Sequence, residues 1–272
     1  MVKKLLKHEF IYYIRTFGIC LPILLVFSLL TRILFWTDSS NIVLNAISAS
    51  AFVVFLIACL ALILMSTVIS VVRFYKHMYT AEGYLTFTLP VTNAQHIFVK
   101  LISAFIFQLV CGITVILAAF IVLVSPDLFS AIAVMSNGIK DLIASMQLSI
   151  GDIIGYSLEV FLIALVAPIT NMLLYYACIT IGQMSKKNRV FAAILVYFVY
   201  QMATQAISTV FSVLFSFFSL SSFSEPIWKW CINHMAATVH IYLILTALGI
   251  AALGVVFWFA THRIMSKKLN LE

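Results

Sequence analysis

Charge is what this sequence has least of. Only 9% of its 272 residues are Asp, Glu, Lys or Arg, while 64% are apolar; a soluble domain carries about a quarter charged. A water-soluble globular protein is excluded on that ground. Acid is the scarcer sign, nine residues against sixteen basic ones, giving a net charge of +7. Glycine is sparse too, and none of the nine belongs to Gly-x-x-x-x-Gly-Lys-[Ser/Thr], the loop that cradles nucleotide phosphates, so the chain does not hydrolyse ATP by itself. Long polar stretches are missing. The longest connections between apolar runs are about 28 residues, short of the roughly 50 that a folded domain needs, which leaves no room for a separate catalytic domain. Strict apolar–polar alternation is missing as well, which excludes a membrane β-barrel.

Catalytic signatures are equally thin. His8-Glu9 is followed by Phe10, Ile11 and Tyr12, so the two-histidine zinc geometry on one helical face is absent. No Gly-x-Ser-x-Gly elbow occurs. Ser149-Ile150-Gly151-Asp152 is half of an intramembrane aspartyl-protease pattern, but serine replaces its first glycine and no second carboxylate lies deep in another run. No catalytic residue and no metal site are assigned. Of the five cysteines, Cys20, Cys59, Cys111 and Cys178 lie inside apolar runs and only Cys231 falls in an exposed connection, which excludes an intrachain disulfide framework. Lys3, Lys4 and Lys7 before an apolar run resemble a signal peptide, but Leu30-Thr31-Arg32 offers no small-residue cleavage pattern, so the run reads as a retained span.

What the chain does have is six long apolar runs, at about 16–36, 42–72, 101–124, 153–181, 190–220 and 235–261. Each is long enough to cross a bilayer core of about 30 Å as a helix. The predicted fold is therefore an all-α polytopic membrane protein, a single domain of six transmembrane helices. With the N-terminus inside, thirteen of the sixteen Lys and Arg residues fall on the cytoplasmic side, leaving Arg32, Lys140 and Lys229 outside. That asymmetry predicts two cytoplasmic termini. The 125–152 and 221–234 segments become outer loops. Pro168 lies inside the 153–181 run; reading that run as two spans would send Lys186, Lys187 and Arg189 outside, so one long helix is expected. Trp36, Trp228 and Trp230 fall at outer span ends or in a loop, where amphipathic rings anchor at headgroups. The net charge points to anionic membrane lipids as partners and away from nucleic acid.

Two intramembrane features are candidates for function. Glu159 is the one formal charge near an apolar run away from its end, readable as an interfacial ion-pair member, with Arg32 as partner, or as a proton or substrate relay. Tyr197, Gln201, Thr204 and Ser208 recur at spacings of four, three and four, a single polar stripe on a helix. It serves either as interhelical hydrogen-bond glue or as lining of a translocation path. Ala247, Ala251 and Gly254 make a small-residue ridge.

The connection from 73 to 100 carries the most information. Gly83 can end the helix that extends from the second run, and Thr92 with Gln95 has capping-box spacing for a new helix leading into the third. Between them stands Tyr84-Leu85-Thr86-Phe87-Thr88-Leu89-Pro90, an apolar element outside the hydrocarbon. Such an element needs a cover, a headgroup boundary or a groove on another protein.

The stretch Glu82-Gly83-Tyr84-Leu85-Thr86-Phe87-Thr88-Leu89-Pro90-Val91-Thr92, followed by Gln95 and Lys100, resembles the signature between the second and third spans of permease subunits of type-two ABC exporters. The resemblance implies a coupling helix that docks on a separate ATP-binding cassette ATPase subunit, with Glu82, Gly83, Tyr84, Leu85, Phe87, Leu89 and Pro90 as coupling residues. It implies a multi-pass subunit of a bacterial plasma membrane, without an ATPase site of its own. ATP and Mg would be bound by the partner, and a second permease copy or paralogue would complete the assembly. An amphipathic, peptide or lipid-like cargo would be exported by alternating access. Residues 1–15, with Leu5, Leu6, Phe10 and Ile11 among charges, are similar to the family's interfacial connecting helix, and 221–234 to its short re-entrant outer helices. The outer loop 125–152, with Asp127, Lys140, Asp141 and Asp152, departs from the family and reads as an amphipathic lid. The residues themselves leave two other readings, a proton-coupled secondary transporter using Glu159 and a non-transporting immunity or scaffold protein.

Overall fold

A computed structural model describes residues 2–36, 42–80, 82–84, 91–124, 130, 133–138, 140, 149–185, 188–219 and 224–267. These residues are almost entirely helical and contain no strand. The main helices are α1 (Val2–Phe17), α2 (Cys20–Trp36), α3 (Ile42–Tyr79), α4 (Asn93–Leu123), α5 (Ile150–Gly182), α6 (Arg189–Ser219), α7 (Glu225–Asn233) and α8 (Met235–Lys267). Six stretches, counting α1 with α2 as the first, are long and apolar enough to cross a membrane. A polytopic all-helical membrane protein is thereby the architecture. The chain divides into two units, residues 1–138 and 139–272.

In the first unit, α2 packs on α3 and α4, α3 packs on α4, and α1 lies against α4. Tyr13, Phe17, Leu24, Phe55 and Phe107 build the core. The Phe107 ring stacks on Tyr13 at 4.9 Å and meets Phe17 at 4.4 Å, fixing α1 onto α4. Gly18 separates α1 from α2. A Cβ there would stand 2.5 Å from the Ile14 carbonyl oxygen, so only glycine fits this turn. The helix that follows this break is Cys20–Trp36. At 1.5 Å per residue α3 is about 57 Å long, well beyond the apolar thickness, and Arg73, Lys76 and His77 stand in its last two turns. Buried hydroxyls are satisfied locally, as apolar surroundings demand: Ser66 donates to the Ile63 carbonyl, Ser70 to that of Ser66, and Thr114 to that of Val110.

In the second unit, α5 packs along α8 and on α6. One continuous helix runs through Pro168. The Ala247, Ala251 and Gly254 ridge has a use here: Gly254 lets Thr170 approach so closely that a Cβ would sit 2.8 Å from its Oγ1, and that hydroxyl donates to the Ile250 carbonyl at 3.1 Å. Buried residues of α5 concentrate in Thr170–Gly182. Helix α6 has no buried residue at all.

Candidate functional site

The connection between α3 and α4 is capped on its α4 side as the spacing predicts. Thr92 accepts from the Gln95 backbone N–H at 3.4 Å, and the Thr92 N–H donates to Gln95 Oε1 at 3.2 Å. On its other side the structure departs from expectation. α3 stops at Tyr79, and the Gly83 N–H donates to the Thr80 carbonyl at 2.7 Å in a short turn. Of the expected coupling residues, Glu82 and Tyr84 are exposed and Gly83 is buried. Leu85, Phe87, Leu89 and Pro90 lie outside the described residues.

Directly beneath this turn is a buried ion cluster. Glu9, on α1, has only 3% of its side chain exposed. Its Oε2 lies 2.6 Å from Arg73 Nε on α3, and its Oε1 lies 2.6 Å from Lys100 Nζ on α4. Lys100 is itself buried, at 5% exposure, and Arg73 is largely covered, at 11%. The Arg73 guanidinium also covers the Tyr12 ring, with Cζ 3.4 Å from the ring centroid, a cation–π contact that holds it in place. His77 continues the chain of contacts, with Nδ1 3.9 Å from Glu9 Oε1 and Nε2 3.3 Å from Glu82 Oε2. One carboxylate therefore grips both helices that carry the connection, and a histidine links it to the connection's first residues. Tyr13, one turn on from Glu9 along the same side of α1, is buried as well. In such surroundings the attraction between opposite charges is far stronger than in water.

The sequence singled out neither Glu9 nor its partners as a group. The helical register of α1 held the clue: Glu9, Tyr13 and Phe17 are spaced by four and all three are buried. Leu5, Leu6 and Phe10, which read as the apolar face, are only half-buried, and Ile11 is exposed.

A second cluster lies in the other unit. His240 of α8 places Nδ1 2.8 Å from Glu159 Oε1 and Nε2 3.7 Å from Asp152 Oδ1, both on α5. The Tyr156 ring packs on the imidazole at 4.4 Å, and its hydroxyl donates to the Ala236 carbonyl at 3.0 Å. Gly155 leaves the space the ring fills, since a Cβ there would stand 2.6 Å from His240 Cε1. Glu159 thus has a partner that the sequence reading did not consider. Asp152, expected in the outer loop, sits in the first turn of α5 and closes a capping box with Ser149. Asp127 and Asp141 lie outside the described residues.

Comparison with known proteins finds no matching family model, curated protein or solved structure. The functional reading therefore rests on the chain itself. On α6, Gln201 Nε2 donates to the Tyr197 hydroxyl at 3.0 Å, Thr204 donates to the Tyr200 and Gln201 carbonyls of its own helix, and Tyr197 packs on Tyr175 of α5 at 5.5 Å. Tyr197 and Thr204 are half-buried, whereas Gln201 and Ser208 are exposed.

Proposed function

We propose that this chain is the membrane-spanning permease subunit of an ATP-driven exporter in a bacterial plasma membrane. Both termini are cytoplasmic, and two permease copies or paralogues work with two separate ATPase subunits that bind the ATP and Mg. The observation that carries the reading is the 82–92 signature, mounted between two helices whose adjoining ends hold one buried carboxylate. The clustering of basic residues on the predicted inner side supports the same orientation.

The mechanism follows from the cost of separating buried charges. Pulling Arg73 or Lys100 away from Glu9 would leave an uncompensated charge in an apolar setting, so the ends of α1, α3 and α4 resist splaying. A push on the connection is then passed to α3 and α4 together. Rigid-body tilting of such helices is a recognised route to opening opposite faces in turn. The stripe of Tyr197, Gln201, Thr204 and Ser208 offers hydroxyl and amide groups to a cargo with polar and apolar parts.

The test replaces the two leucines of the connection. Affinity purification of the intact chain from its native membranes should bring down a polypeptide that carries Gly-x-x-x-x-Gly-Lys-[Ser/Thr] and hydrolyses ATP. Leu85→Asp with Leu89→Asp should insert normally yet lose that partner, because an unpaired carboxylate in an apolar groove costs several kcal/mol. Stoichiometric copurification of the double variant with an ATPase of unchanged activity would remove the coupling assignment.

A further inference from the structure

Helix α5 has two unlike halves. From Thr170 to Gly182 it carries all of its buried residues, whereas no residue of 150–167 is buried. Pro168 stands at the junction. Having no N–H, it removes the donor that would otherwise bond the Ala164 carbonyl, and a helix bends most readily at such a turn. Just beyond it the helix is anchored, by the Thr170 hydroxyl on the Ile250 carbonyl and by its close fit against Gly254. The 150–167 arm is about 27 Å long, so a tilt of about 10° at its base moves its tip by about 5 Å.

What fastens the arm to α8 at its far end is polar. His240 turns Nδ1 to Glu159 Oε1 at 2.8 Å and Nε2 toward Asp152 Oδ1 at 3.7 Å. Glu159 Oε2 is buried without a hydrogen-bond partner among the described residues, so the ring is this carboxylate's fastening. A neutral imidazole has one N–H and one lone pair. It can donate to one carboxylate and must turn a lone pair on the other, whereas the imidazolium donates to both. Tyr156 adds a neutral hydrogen bond to the Ala236 carbonyl. Helix α7, which also packs against α8, brings Glu225 and Lys229, and His234 stands between the two helices. None of these is paired with the ring: Lys229 pairs with Glu225 at 3.6 Å, and His234 stacks on Trp230 at 5.1 Å. Histidine is the side chain that changes charge between about pH 5 and 8. We infer that 150–167 is an arm hinged at Pro168 and latched to α8 by protonated His240. The arm is held at acidic pH and released as the pH rises and the ring loses its proton. In the proposed orientation the latch faces outward, but the inference needs neither that orientation nor an ATPase, so it fails or survives separately from the permease reading.

The experiment uses the full chain in nanodiscs, its native cysteines replaced by serine, with spin labels on Ile150→Cys and Leu245→Cys. A second pair, Ile181→Cys and Val256→Cys, lies beyond the hinge. Distances are read by pulsed electron paramagnetic resonance at about pH 5.5 and about pH 8.5. The arm pair should give a narrow distribution at the acidic pH and a broader one, shifted by several ångströms, at the basic pH, while the second pair stays fixed. His240→Gln should give the broad distribution at both, because an uncharged amide cannot hold two carboxylates. Pro168→Ala should suppress the shift by restoring the bond to the Ala164 carbonyl. A distribution that does not change with pH in the chain with His240 and Pro168 intact would overturn the proposal. So would a shift that survives either substitution, a narrow distribution in His240→Gln, or an equal shift of both pairs.

Discussion

In the first unit one buried carboxylate lies 2.6 Å from a largely covered guanidinium and 2.6 Å from a buried ammonium. Its partners lie 64 and 91 residues away in sequence, so no local pattern could disclose it. Glu9→Gln keeps the shape and one hydrogen-bonding oxygen but leaves Arg73 and Lys100 uncompensated. Removing one partner of a buried pair costs about 3–5 kcal/mol. The unfolding midpoint of the purified chain in detergent should fall markedly, Glu9→Asp should fall less, and adding Lys100→Met to Glu9→Gln should recover part of the loss. An unchanged midpoint in Glu9→Gln would mean that the cluster is solvated in solution. Glu159 teaches the same lesson from the other side. The sequence singled it out by its rarity, yet its partner His240 stands 81 residues further on and only packing joins them.

Where α5 gives way to α6, the two helices approach closely. A Cβ on Gly182 would stand 2.5 Å from the Ala193 backbone N and 2.6 Å from its Cα. Backbone cannot rotate aside as a side chain does, so Gly182→Ala must push the two helices apart. Overpacking of this kind costs about 1–3 kcal/mol. The control is Gly249→Ala on α8, where a Cβ meets nothing within 4 Å and the gain in helix propensity is up to about 1 kcal/mol. Thermal unfolding should therefore move in opposite directions for the two alanines; a neutral Gly182→Ala would show that α5 and α6 are not held this closely. Element ends were partly legible. The Thr92 and Gln95 box follows from side-chain chemistry within four residues, whereas the stop of α3 at Tyr79 comes before the glycine that the sequence offered as its end. The stripe on α6 was legible as a period, but a period does not say which neighbour it meets.

For the molecule as a whole, six helices long and apolar enough to span make a topological prediction. Helix α6 has 31 residues, about 46 Å at the helical rise, more than the apolar thickness of a bilayer. Ser185 precedes it and the exposed Lys229 follows it. In a chain whose native cysteines are replaced by serine, Ser185→Cys and Lys229→Cys should be labelled by an impermeant maleimide from opposite sides of sealed vesicles, Ser185→Cys from the cytoplasmic side. Labelling of both from one side would break the six-span arrangement, and labelling in the reversed sense would overturn the orientation that the basic residues predict.

Composition and run length alone determined an all-helical architecture with six stretches long and apolar enough to cross a membrane, because in hydrocarbon every backbone group must be paired within its own segment and the helix does that without help from distant residues. The same locality made the Thr92 cap readable. Tertiary structure alone decided which side of α1 is turned inward, that Glu9 joins Arg73 and Lys100, and that His240 meets Glu159. A charge in an apolar setting must be compensated, but compensation acts through space, and any cation in the chain can supply it once the helices bring it near.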